Sequence, residues 1–177
     1  MHGIVHKTLE QYVIDRSDEE TWDRIVERAG VDATLYLPVS YYDDADLEAI
    51  LETVTDLAVQ NRRQIERGFG RRLAPELRST FAAHVDDDWT LREVLEHLEA
   101  VIASVDTASD ETTLPDIETR RDEDGVLVSY RSERGYCGLA HGVLEGLVDD
   151  YDEQATVSKR TCVEGGDGAC TFLVSLE

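Results

Sequence analysis

The chain has 177 residues, 41% of them hydrophobic, which suits one domain with a real core and excludes wholesale disorder. Its 39 acidic residues against 17 basic ones give a net charge of −22, which excludes nucleic acid and anionic membranes as partners. Lysine occurs only at Lys7 and Lys159, the rest of the basic residues being arginine. An excess of Asp and Glu with so little Lys is the composition of a salt-in halophile, whose ions screen the self-repulsion.

The opening "MHGIVHKTLEQYVIDRSDEE" meets a charge every few residues and does not read as a secretory leader. No apolar run approaches the ~18 residues of a membrane span. A cytoplasmic setting with reduced thiols is therefore expected, and three cysteines, an odd count, argue against a disulfide framework.

The first half reads as helical. Ser17, with Glu20 three later, predicts a capping box for a helix that carries Trp22, Ile25, Val26 and Ala29 and stops at Gly30. "DADLEAILETVTDLAVQ" spaces Leu47, Ile50, Leu51, Val54, Leu57 and Ala58 for a second helix. A shorter helix is expected in "RRQIERGFGRRL". An amphipathic helix follows in "DDDWTLREVLEHLEAVIASV", with Leu91, Val94, Leu95, Leu98, Ile102 and Val105 on one stripe. The acidic "DDD" before it suits the positive end of a helix.

Beyond the polar loop "DTASDETT" the character changes. "VLVSYRS" alternates as a strand after the tight turn "EDG", and "GLAHGVLEGLV" returns to helix. "ATVSKRTC" and "ACTFLVSL" read as two strands joined by the glycine-rich "VEGGDG". Helices followed by an antiparallel sheet predict an α+β fold in a single domain over 1–177, with a helical part over 1–85 and a helix-plus-sheet part over 86–177.

Two groups of residues carry chemistry. Tyr130, Ser132 and Arg134 stand at alternate positions, which turns two hydroxyls and a guanidinium to one side of an extended chain, a set suited to carboxylates. The other reading of Arg134 is an exposed strand end paired with one of the many acidic groups. Cys137 and His141 are four apart, so they share a helical face. Cys162 and Cys170 lie at facing ends of the last two strands. There is no nucleophile–base pair, phosphate loop or redox-cofactor fingerprint, so a binding or sensing role is expected rather than an enzyme.

On these motifs the layout resembles the H-NOX family, the heme nitric oxide/oxygen-binding sensor domains, over essentially the whole chain. "HGIVHKTLEQYVI", the Trp22 helix, "YYDDADLEAILETV" and "RGFGRRL" are similar to that family's helical part. Tyr130-Arg131-Ser132-Glu133-Arg134 is similar to its Y-x-S-x-R motif. The resemblance implies that Tyr130, Ser132 and Arg134 hold heme propionates. It also implies a proximal histidine on the helix before the sheet, and in the gapless register, which brings the family's proline onto Pro115, that position is Ile102. Isoleucine cannot ligate iron, so heme binding is expected to be atypical or lost. His97 is five residues away, roughly 140° around the helix, on a face rich in Glu93, Glu96 and Glu99, which reads as a solvated surface. A stand-alone sensor of this kind implies a hydrophobic small molecule or heme as ligand and a separate signalling protein as partner.

The three cysteines resemble the constellation of 4-vinyl-reductase-type domains, in which a structural zinc is completed by an acidic residue three before the second cysteine. Here that position is Lys159. His141 is the substitute expected in its place, for a Cys3His zinc site with Cys137, Cys162 and Cys170. Buried, metal-free cysteines and a Cys162–Cys170 disulfide are the competing readings. The same resemblance implies an alternative function, a zinc-stabilised domain for another hydrophobic small molecule or a tetrapyrrole-processing accessory.

Overall fold

The computed structural model describes residues 1–32, 35–106 and 114–176. Most of the polar loop after the amphipathic helix, residues 107–113, lies outside the described residues. The first part is helical: α1 (Gly3–Arg16), α2 (Glu19–Ala29), α3 (Asp44–Leu57) and α4 (Arg62–Thr80), followed by a 3₁₀ turn at Ala82–His84. The second part runs α5 (Leu91–Asp106), β1 (Asp116–Asp122), β2 (Gly125–Arg131), α6 (Cys137–Asp150), β3 (Ala155–Thr161) and β4 (Cys170–Leu176). The four strands form one antiparallel sheet in the order β1-β2-β4-β3. The α+β expectation is met.

Local signals account for most element ends. Gly30 closes α2 in the left-handed conformation at φ 69°, as expected of a glycine there. The N-terminal cap of α2 is one residue later than the sequence predicts. Asp18, not Ser17, accepts the Thr21 amide at 2.7 Å, while Ser17 ends α1 with its hydroxyl on the Val13 carbonyl. A carboxylate at the positive end of a helix outcompetes a hydroxyl for that place.

The short helix expected at "RRQIERGFGRRL" is instead the 19-residue α4, opened by a capping box of Asn61 and Gln64 and continuing through Pro75. Proline removes one helical hydrogen bond, the one to the Arg71 carbonyl. Gly146 of α6 closes on that same carbonyl, so the interruption is covered by a packed helix rather than exposed. β1, "DIETRRD", is a strand that its polar sequence does not announce. It is an edge strand held by β2 and by α5, with the Thr119 hydroxyl donating to the Glu96 carbonyl at 3.1 Å.

Two cores result. One joins α1–α4 around Leu9, Leu47, Leu51, Ile65 and Phe69; the other lies between the sheet, α5 and α6 around Leu91, Leu95, Val126, Phe172 and Val174. The α4–α6 crossing joins them. Gly142 and Gly146 let the α6 backbone come against Arg67 and Arg71 of α4. Alongside, the guanidinium groups of Arg67, Arg71 and Arg78 pair with Glu145, Asp149 and Asp150.

Candidate functional site

Tyr130, Ser132 and Arg134 do come together, though not as one extended face. β2 ends at Arg131, and the chain then turns, with the Gly135 amide on the Ser132 carbonyl and positive φ at Gly135 and Tyr136. Tyr130 is buried beside Cys170 in the sheet register. Burial pushes its phenol up to about 12, against a hydrogen bond with Ser132 that acts the other way. The Ser132 hydroxyl also accepts the Arg134 amide at 3.2 Å.

Arg134 reaches across to the helical part and pairs with Asp44 at the start of α3. The other oxygen of Asp44 lies 2.7 Å from the N-terminal amine of Met1 as an ion pair. The alternative reading of Arg134 is met only in its acidic partner, because the residue is half-buried in the turn beyond β2 rather than at an exposed strand end. Nothing local in the sequence points to Asp44, ninety residues away from Arg134. Two hydroxyls and a guanidinium are donors of the kind that carboxylates accept from. Ile102, near the end of α5, is half-buried and offers no ligating atom. His97 is exposed, its Nδ1 2.7 Å from the Glu93 carbonyl and its ring stacked on Trp89 at 4.5 Å.

The thiols of Cys137, Cys162 and Cys170 converge at the start of α6 and the ends of β3 and β4, all within 4.8 Å of one another. Cys137 and Cys162 are 3.7 Å apart and Cys162 and Cys170 4.0 Å, and all three are free thiols. Corners of a tetrahedral zinc site are about 3.8 Å apart for Zn–S bonds near 2.3 Å. The cluster can hold a metal.

His141 is not brought to this group. One turn along α6 carries its ring past the thiols onto Phe172, with Nε2 3.4 Å from the Val157 carbonyl and 3.8 Å from Glu145. Lys159 is there instead, its Nζ 2.9 Å from the Cys137 sulfur and 3.8 Å from that of Cys162. Burial pushes the Cys162 thiol up, but its hydrogen bond with Cys137 and the charge of Lys159 outweigh this and leave it below the ordinary thiol value. Cys170 is pushed up to about 12, first by burial and then by its contact with Cys137.

The helical part holds this cluster in place. α6 begins at Tyr136, which supplies no side-chain cap, and the buried Glu66 of α4 accepts the Gly138 amide at 3.2 Å in its stead. Arg62 bridges Glu66 and Glu48, and Glu48 accepts the Tyr136 hydroxyl at 2.8 Å. Arg63 pairs with Glu164 in the turn after Cys162.

The profile of the Haem-NO-binding family matches residues 2–159, nearly the whole chain. The chain belongs to this family. An H-NOX protein from S. oneidensis in the Fe(II) ligation state has the same fold, with a TM-score of 0.90 at 23% identity over 100% of this chain and 96% of that one. The S. oneidensis protein in the Fe(II)NO state gives 0.89 at 23%, over 100% and 99%. A Cs H-NOX mutant gives 0.86 at 18%, over 100% and 97%. The soluble guanylate cyclase gcy-32 of Caenorhabditis elegans is 23% identical over 108 residues, which is 60% of this chain but 15% of that protein. The chain thus spans about a seventh of that relative. Among the described residues no helix is long and apolar enough to cross a membrane.

Proposed function

We propose that this H-NOX domain is a sensor module whose ligand is anchored by its carboxylates rather than by histidine ligation of iron. What supports the reading is the gathering of two hydroxyls and a guanidinium, those of Tyr130, Ser132 and Arg134, at one turn, together with an isoleucine, Ile102, at the position where the family resemblance puts histidine. Heme, when bound, would supply gas-binding chemistry at its iron. The chain's own residues would bind the propionates and orient the macrocycle between the helical and sheet parts. Another hydrophobic molecule with carboxylates meets the same requirements. A signalling partner would read the ligand state, and the alternative of tetrapyrrole processing draws no support from the fold.

We also propose that Cys137, Cys162 and Cys170 bind one zinc ion in a structural role. The sulfur separations of 3.7 and 4.0 Å on either side of Cys162, close to those of a tetrahedral zinc site, support this.

Hemin titration of the wild type and of Ile102→His, followed by visible spectroscopy in high salt, tests the first reading. The wild type should show no histidine-type ferrous spectrum, and Ile102→His should create one that responds to nitric oxide. A histidine-type spectrum in the wild type that disappears in His97→Ala would put the iron ligand at His97 and refute the reading. The circular dichroism of each variant must match the wild type, because an imidazole in place of a packed isoleucine costs about 1–3 kcal/mol if its nitrogens find no partner.

A further inference from the structure

Resting on the zinc reading just given, we infer that the fourth ligand is the side-chain amine of Lys159, making a Cys3Lys centre. Three observations converge on it. The first is position. The three sulfurs leave one corner of a tetrahedron, and Lys159 Nζ lies beside the cluster at 2.9 and 3.8 Å from two of them. Those separations lie on either side of the ~3.5 Å between a sulfur and a nitrogen on one zinc ion, given bonds of about 2.3 and 2.0 Å.

The second is the lack of a rival. Among the described residues the group of candidate ligand atoms within mutual reach holds the three thiols and no histidine or carboxylate. His141 is engaged with Val157 and Glu145. Asp167, the acidic group nearest in sequence to Cys170, has its carboxylate on the Cys162 amide at 2.8 Å.

The third is the choice of residue. Lysine is found at only two positions in the chain, and all the other Lys/Arg positions are arginine. A cation needed only to balance thiolate charge could equally be arginine. A ligand could not, because a guanidinium has no acceptor and is not deprotonated in proteins, whereas an amine gives up its proton to bind a metal. Lys159 is placed for this by β3, which shifts register between Lys159 and Thr161, and by Phe172, whose ring lies 5.7 Å from Nζ.

The scarcity of lysine makes the test direct. Protein labelled with nitrogen-15 at the lysine side-chain amines carries two signals, from Lys7 and Lys159, and the site is reconstituted with cadmium-113. A cadmium–nitrogen scalar coupling on the Lys159 signal, with none on Lys7, is the expected result. Alongside it, zinc affinity is measured by chelator competition. Lys159→Arg and Lys159→Ala should both weaken zinc by more than about a hundredfold, beyond what losing an outer-sphere partner costs. Lys159→His, which restores a ligand, should bind within about tenfold of wild type.

Uncoupled lysine signals in metal-loaded protein, with Lys159→Arg binding zinc as tightly as wild type, would overturn the inference and leave Lys159 a hydrogen-bonded cation beside a three-thiolate zinc. A wild type that takes up no zinc or cadmium at all would overturn the zinc reading itself. The two failures are therefore distinguishable.

Discussion

A single methyl group at Gly142 should lower the melting temperature by several degrees, although alanine is the better helix former. A Cβ built at Gly142 would sit 2.1 Å from the Arg67 carbonyl oxygen and 2.8 Å from its carbon. Both blocking atoms are backbone of α4, so no side chain can swing aside and the two helices must part. Overpacking of this kind costs about 3 kcal/mol, at the upper end of its usual range. The intrinsic helix preference for alanine over glycine returns about 1 kcal/mol, leaving a net loss of roughly 2 kcal/mol. At 2–4 °C per kcal/mol for a chain of this size, the expected drop is about 4–8 °C.

The assay is thermal unfolding followed at 222 nm, at one fixed high salt concentration. Gly68→Ala is the comparison. There the nearest atom, at 2.5 Å, is the Tyr12 hydroxyl oxygen, at the far end of a side chain that can shift, so its loss should be smaller. A Gly142→Ala variant that melts at or above the wild type would refute the claim that α4 and α6 touch through their backbones.

Three other outcomes are expected. With −22 net charge, the protein should melt substantially higher in ~2 M potassium chloride than in dilute buffer, and equal melting temperatures would remove the halophile reading. Cys162→Ser should lose most of the bound zinc by elemental analysis and melt lower, since a structural metal is coupled to folding; unchanged zinc content would contradict its role as a ligand. Burial holds the imidazoles of His2, His6 and His141 below the ordinary histidine value of 6.5. The unfolded chain therefore takes up protons first, and stability present above pH 6.5 is lost as the pH falls below it. His6, fully buried with Nε2 3.2 Å from the Asp43 carbonyl, should contribute to that slope, and His6→Gln should flatten it.

The sequence by itself determined what depends on neighbours within a few turns. Apolar spacing placed α3 and α5, Gly30 ended α2, the two-residue turn before Gly125 set the hairpin, and the charge balance was plain from composition. The Y-x-S-x-R motif and the three cysteines were also legible, because residue type and order carry them. What only the tertiary structure decided is which distant groups meet. Asp44 reaches Arg134, Glu66 caps α6, Lys159 joins the thiols, and His141 turns away to Val157. The i, i+4 spacing fixed the face that His141 shares with Cys137, but it could not say which strand that face would meet a turn later. Likewise α4 crosses Pro75 and β1 forms despite its polar sequence, since packing against α6, β2 and α5 outweighs a local preference of about 1–3 kcal/mol.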